Sequence, residues 1–203
     1  MERRIWLGRA GTALGLWLAG VPLGAAAARA PRSLAVLDVE LVDDQNTPTT
    51  RAASEARLPR ATAQLRQELA AHGLYRVVDA TPARALQQRL HDQQEFLYRC
   101  ADCAEQVGRA LDVDLVMTAW VQKVSELILN FNIEVHEVAT QRIALSKSVD
   151  LRGNQDASWT RAVSFLVRDM AEKRASTKRP GCRAGPPTCS ARSAAWPPRG
   201  PRC

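Results

Sequence analysis

Leu129-Asn130-Phe131-Asn132-Ile133-Glu134-Val135-His136 alternates apolar and polar side chains without a break. Successive side chains of an extended strand point to opposite faces, so this run has one apolar and one polar face. The residues on either side repeat the pattern. Ile143, Leu145, Val149 and Leu151 share one side of the next stretch, with Lys147 among them, and Ser146, Ser148 and Asp150 oppose them. Before it comes Ala119-Trp120-Val121-Gln122-Lys123-Val124-Ser125. Three antiparallel strands are predicted, near 114–123, 127–138 and 142–151. Their apolar sets must share a face, because a one-residue slip would carry all of them into water. A two-residue loop at Thr140-Gln141 would pair His136 with Leu145 and breaks that rule. A three-residue loop with Gln141 near the left-handed region keeps it, and pairs Asn132 with Ser148 and Asn130 with Asp150. The polar side then carries Trp120, Gln122, Asn130, Asn132, Glu134 and Asp150.

Upstream, Ser33 to Val39 is a short apolar run that reads as a strand buried on both faces. Asp43 to Thr50 is polar, contains Pro48 and reads as a loop. Leu58, Thr62, Leu65 and Leu69 form one helical stripe, closed by Gly73. Tyr75-Arg76-Val77-Val78-Asp79 reads as the second strand. Thr81-Pro82 combines an N-cap hydroxyl with proline at the first helical position, so a helix through Ala85, Leu86 and Leu90 is predicted. A polar link leads to Cys100-Ala101-Asp102-Cys103 and a helix holding Val107, Ala110 and Leu111. After the three strands, Trp159, Val163, Leu166 and Met170 mark a last helix starting around Asp156. The expected fold is α/β, bordering on α+β. It is a mixed sheet of about five strands in the order βα βαα βββ α, with parallel crossovers first and an antiparallel meander last.

The two ends differ from this middle. Residues 1–28 read as a signal peptide. Arg3, Arg4 and Arg9 precede an apolar stretch broken by Gly11, Gly15, Gly20 and Pro22, and Ala26-Ala27-Ala28 suits cleavage. That stretch is too short and too broken for a stable membrane span. Arg3-Arg4-Ile5-Trp6-Leu7 partly matches a twin-arginine signal, with Glu2 where Ser or Thr is expected. Residues 171–203 contain no Leu, Ile, Val or Phe but six of the 11 prolines and three of the five cysteines. Such a segment buries too little to offset its ordering entropy, so a disordered basic tail is expected, either natural or out of frame. The formal charge of +7 belongs to these ends: 1–28 carry +2, 171–203 carry +7, and 29–170 carry −2. The slightly acidic middle, read as a single periplasmic domain, excludes nucleic acid as an expected partner.

The carriers of a family resemblance are Ala35-Val36-Leu37-Asp38, Tyr75 to Asp79, Cys100-Ala101-Asp102-Cys103, Trp120 to Ser125, Leu127 to Asn130, and Asp150-Leu151-Arg152-Gly153-Asn154 with Ser158-Trp159. Over residues 33–168 they resemble a family of secreted bacterial proteins defined only as a domain of unknown function. The strand–helix–strand opening more distantly resembles the amino-terminal domain of TolB and the curli-secretion protein CsgG. That likeness implies an envelope protein working through protein contacts, and fold alone does not grant function.

Two constellations carry candidate chemistry. Cys100 and Cys103 form a C-x-x-C at a helix start, where amide dipoles lower a thiol pKa. In an oxidising compartment the plainer reading is a disulfide. Two thiols alone do not complete a zinc site; His91 is the nearest further ligand in sequence. His91 and Glu95 are spaced to share a helix face, and His136 is expected at the polar strand edge in water. Trp120, Gln122, Asn130, Asn132, Asp150, Arg152 and Asn154 form the second group, an aromatic anchor ringed by hydrogen-bonding side chains, as interfaces are built. The plainer reading packs Trp120 under the last helix and pairs Asp150 with Arg152. Lys123 reads as an anion ligand or a solvated strand-end lysine. No phosphate loop, dinucleotide fingerprint, nucleophile elbow or HExxH motif occurs, and no cofactor is expected. The sequence thus points to a non-enzymatic periplasmic accessory protein that binds another envelope protein through the meander face. A thiol-disulfide or metal-handling role for Cys100 and Cys103 is the alternative.

Overall fold

In the computed structural model, residues 30–45 and 47–178 are described. The expected signal peptide, and the expected tail from 179 onward, lie outside the described residues. The first apolar run forms β1 (Ser33–Val36) and, after a break, β2 (Glu40–Asp43). Helices α1 (Pro48–Glu55) and α2 (Leu58–Ala71) lead to β3 (Arg76–Val78). Helices α3 (Arg84–Gln93) and α4 (Cys103–Leu111) lead to β4 (Leu115–Lys123), β5 (Ile128–Glu137) and β6 (Arg142–Arg152), and α5 (Asp156–Lys178) closes the fold.

The mixed α/β architecture is as expected, but the sheet has six strands instead of about five. Its order is β3-β1-β4-β5-β6, with β2 also on β4. β1 and β2 both run parallel to β4, one after the other. Val36 pairs with Met117 and Glu40 with Trp120, so Leu37-Asp38-Val39 oppose only Thr118-Ala119. The additional residue breaks one strand into two, as a bulge does. The stretch read as a loop from Asp43 to Thr50 therefore begins inside β2, and its second half is the start of α1. Pro48 at the first helical position sets the helical φ, and Arg51 pairs with Glu55 one turn on at 2.8 Å.

The meander register is the predicted one: Asn132 faces Ser148 and Asn130 faces Asp150. Leu129, Phe131 and Ile133 are fully buried and Val135 is 1% exposed. Gln141 does adopt positive φ, at 54°. The turn, however, spans four residues, 138–141, closed by the Gln141 N–H on the Glu137 carbonyl at 2.9 Å. Beyond Val135–Leu145 the pairing shifts to His136–Ile143, which skips Ala144. That bulge absorbs the difference between the expected and observed loops.

Both sheet faces are packed, but unequally. On one, Leu65 and Leu69 of α2 and Val163 and Leu166 of α5 cover Met117, Val121, Phe131 and Ile133. On the other, Leu90 of α3 and Ala104 and Val107 of α4 cover Ala35, Leu37 and Val116. Gly108 allows α4 to lie close, since a Cβ there would come within 2.3 Å of Val138. Gly73 ends α2 with φ 59°, the expected C-terminal role. Thr81 does not cap α3. Its hydroxyl and N–H donate to Asp79 at 2.7 and 3.0 Å, and Thr81–Ala83 form a short 3-10 turn before the helix.

Two further expectations change. Helix α5 does not stop at Met170 but runs to Lys178. Ala171 packs against the core, Arg174 lies 5.7 Å from the Tyr75 ring centroid, and the exposed Lys173 pairs with Asp169 at 3.1 Å. Lys123 is neither solvated nor an anion site. It is fully buried, with its ammonium 2.6 Å from Glu126, 2.9 Å from the Thr50 hydroxyl and 3.1 Å from a buried Asp43. Burial pulls its pKa down. The bonds to Glu126 and Asp43 and their attraction outweigh this and leave it above the usual lysine value.

Replacing Lys123→Met removes the buried ammonium that Asp43, Glu126 and Thr50 share, so a loss of about 3 kcal/mol is expected, measured by urea denaturation. Acid sensitivity has a separate source in Asp114, which accepts the Ser33 hydroxyl at 2.7 Å and the Ser33 N–H at 2.8 Å. Those bonds, the hydroxyl's first, hold its pKa below the ordinary 3.8. The stability it contributes is present above the unfolded value and is lost as pH falls through the lower folded one. In Asp114→Asn, the midpoint should therefore fall less than in wild type between pH 5 and pH 2, the contrast to be followed by thermal melts at half-unit steps.

Candidate functional site

Among the described residues, the part of the second sheet face that no helix covers lies over the far half of β4, the half of β5 paired with it, and β6. Trp120 pairs with Asn132 and Gln122 with Asn130 across β4 and β5. On β6, Ser148 and Asp150 extend the same rows. Gln122, Ser146, Ser148 and Asp150 are exposed, and Trp120, Asn130, Asn132 and Glu134 are half-buried. These side chains are tied to one another across strands. The Asn130 amide donates to Asp150 at 3.0 Å and the Ser146 hydroxyl to Glu134 at 3.3 Å, while along β5 the Asn132 amide donates to the Asn130 backbone carbonyl at 3.2 Å. Such cross-strand pairs fix side-chain positions at modest energy. The Gln122 amide reaches Asp44 at 3.4 Å.

Trp120 does not pack under the last helix; the tryptophan buried against that side of the sheet is Trp159, which belongs to α5 itself and is 3% exposed. Trp120 instead stacks on Tyr98, with ring centroids 4.1 Å apart and planes 9° from parallel. Phe96 lies 5.7 Å from Tyr98, and the Arg99 guanidinium sits 5.3 Å from the Phe96 centroid and 5.4 Å from that of Tyr98. The Arg99 Nε also donates to the Tyr98 hydroxyl at 2.8 Å. Sequence reading missed Phe96 and Tyr98, which sit in a segment taken as a polar link. Two aromatic residues within three positions were the available signal.

Glu40 of β2 positions this aromatic platform. Its carboxylate accepts the Leu97 N–H at 2.8 Å and the Tyr98 N–H at 3.3 Å. Burial raises its pKa, opposed by those two amides and by His91. His91 Nδ1 is 3.8 Å from Glu40, so His91 belongs to this corner and not to the cysteines. His91 and Glu95 do not share a helix face, because α3 ends at Gln93.

Cys100 and Cys103 place their sulfurs at bonding distance, with Cα atoms 5.5 Å apart. The Cys100 N–H donates to the Leu97 carbonyl at 3.1 Å, which joins the pair to the turn that presents Tyr98. Asp102 adds an oxygen close to both sulfurs, completing a cluster within 4.8 Å. With the sulfurs joined, neither is a thiolate ligand, and this donor set does not fit a zinc ion.

The remaining candidates separate. Arg152 is exposed at the end of β6, opposite Ile128. No Asp150–Arg152 pair forms among the described residues; Asp150 takes Asn130 instead. Asn154 is consumed inside the fold. Its amide donates to Ser54 at 2.8 Å and to Glu126 at 3.0 Å, and its oxygen accepts the Trp159 ring N–H at 3.0 Å. His136 is not at a wet edge. Helix α4 covers it to 9% exposure, with Glu105 3.4 Å from Nδ1 and Thr118 3.4 Å from Nε2.

No helix among the described residues is long and apolar enough to cross a membrane. No curated relative matches the chain. Among solved structures, the LpoB C-terminal domain from Salmonella enterica is similar, with a TM-score of 0.46 at 17% identity over 63% of this chain and 87% of that one. The LpoB C-terminal domain from Escherichia coli gives 0.43 at 21% identity, over 64% and 88%. TolB from Acinetobacter baumannii, the likeness expected from sequence, gives 0.43 at 14%, over 75% of this chain and 30% of that one. Residues 32–170 match the family DUF3280, described as a protein of unknown function (DUF2380), and the chain belongs to that family.

Proposed function

We propose that this chain is a non-enzymatic accessory protein of the bacterial periplasm that binds another envelope protein through the open half of its sheet. One observation carries the reading: the fold leaves a polar face uncovered and sets the Tyr98–Trp120 stack at its margin, held by Glu40. Aromatic anchors beside satisfied polar groups are the make-up of protein interfaces. The N-terminal residues, read as a signal peptide, support the location. The binding surface comprises Tyr98, Trp120, Gln122, Asn130, Asn132, Asp150 and Arg152. Asn154 drops out, since its amide group is already bonded on both sides.

The cysteine pair takes a structural role in this reading. It fastens the end of the Tyr98 turn to α4. The alternative, thiol-disulfide exchange, draws on the half-exposed Cys100 at a helix start. A reduction potential below about −300 mV marks a structural bridge, and one in the range of disulfide catalysts favours exchange.

The test places a photo-crosslinkable residue at Gln122 and, as control, at Arg168 on the outer face of α5. Capture of one envelope protein at position 122 alone is expected. Trp120→Ala and Tyr98→Ala should each weaken that contact by about thirtyfold, the size of an aromatic hot spot. Cys100→Ser/Cys103→Ser should weaken it much less. Equal capture at both positions, or no effect of either aromatic truncation, would overturn the assignment. Any truncation used must end after Lys178, since α5 continues that far.

A further inference from the structure

On the opposite side of the meander, the last turns of α5 overhang β5 and β6 and leave a cavity of about 350 Å³. Its floor is apolar: Leu115, Val135, Leu145 and Met170 line it. Its rim is cationic. Lys147 and Lys173 both bond the same oxygen of Asp169, so one carboxylate serves two ammonium groups. Their bonds, that of Lys147 first, hold Asp169 below the ordinary carboxylate range. Arg174 donates to the Leu74 carbonyl and lies over the Tyr75 ring, with no carboxylate partner among the described residues. Arg32, also on the rim, is matched by Glu137 at 2.5 Å.

Lys147 is the anomaly that gives the cavity its character. It stands on the apolar side of β6, between Leu145 and Val149, with its side chain only 12% exposed. A lysine in that row is out of place for packing alone, and half of an Asp169 carboxylate does not neutralise it. The rim holds Lys147, Lys173 and Arg174 against one acid, so the mouth of an apolar pocket keeps an excess of positive charge. An inorganic anion would satisfy the rim and leave the floor in water. A neutral apolar molecule would fill the floor and leave the rim unmatched.

We propose that this cavity binds a single-chain anionic amphiphile, with its aliphatic chain on the Leu115–Met170 floor and its anionic head against Lys147, Lys173 and Arg174. The volume is near the lower end of small-molecule sites and suits one chain. A carboxylate and a phosphate monoester share the chemistry the rim selects. The site is independent of the partner-binding face, which lies on the other side of the same strands.

The test is calorimetric titration of the full chain with octanoate, decanoate and decyl phosphate, each below its micellar concentration, and with decanol below its solubility limit. Decanoate or decyl phosphate should saturate a single site. Affinity should rise roughly fourfold for each methylene from octanoate to decanoate. Decanol should bind at least tenfold more weakly. Preference for decanoate assigns a fatty acid, and preference for decyl phosphate assigns a phosphorylated head. Lys147→Met and Lys173→Met should each cut anion affinity about tenfold and leave decanol unchanged. Lys173 is 68% exposed, so its variant tests the head site without disturbing the fold. Absence of saturable binding by either anion, equal affinity for decanol, or unchanged anion affinity in Lys173→Met would each overturn the proposal.

Discussion

Strict alternation along β5 is the constraint on which the other features rest. It commits Leu129, Phe131, Ile133 and Val135 to the interior, where all four are sealed. Burial of such side chains contributes about 1.5–3 kcal/mol each. A one-residue slip would therefore forfeit roughly 6–12 kcal/mol, an upper figure for compact unfolded chains but comparable to a whole domain's stability. The register has no competitor. Connectivity then decides which face stays open. The chain crosses from β3 to β4 through α3 and α4, which roof β1 and the near half of β4. It goes on to β5 and β6 through hairpins, which bring no roofing helix, and α5 returns to the already covered side. An exposed polar face is the consequence of that order.

Polar groups inside the fold set the corners of this sheet. Lys123 ties β4 to β2, α1 and the β4–β5 turn through Asp43, Thr50 and Glu126. Asn154 ties α1, the same turn and α5. Buried ionic groups contribute little net stability, because desolvation offsets attraction, yet losing one partner is costly. Their effect here is positional. Glu40 acts in the same way on the outer side, where two backbone amides converge on its carboxylate and fix the ring of Tyr98 against Trp120.

Local patterns in the sequence were enough for the meander, the α2 stripe with its closing Gly73, and the left-handed Gln141. Each is set by residues within a few positions of one another. Several of the missed features join residues far apart in the chain. Glu40 and Asp43 made β2 look like the edge of a loop, since acids usually mark solvent. Both acids are buried because their partners arrive 57 and 80 residues later, at Leu97 and Lys123. The Tyr98–Trp120 stack has the same origin. Trp120 was legible as an anchor; its neighbour was not, because nothing in a polar link announces which strand it will lie across. Lys147 was visible as an odd member of an apolar row, but its counterpart Asp169 belongs to a helix that had been expected to end one residue later.

Alternation also makes the two surfaces of the meander chemically separable. Glu134, Ser146, Ser148 and Asp150 point to the open face, while Val135, Leu145 and Lys147 point to the cavity under α5. A substitution at one parity changes one surface and leaves the other's side chains in place. What the surfaces share is backbone. Among the described residues β6 is hydrogen-bonded to a neighbour on one side only, and Lys147 links it to α5 through Asp169. An edge strand is the least constrained member of a sheet. The two surfaces therefore meet only in the backbone of β5 and β6, whose alternate residues face one or the other.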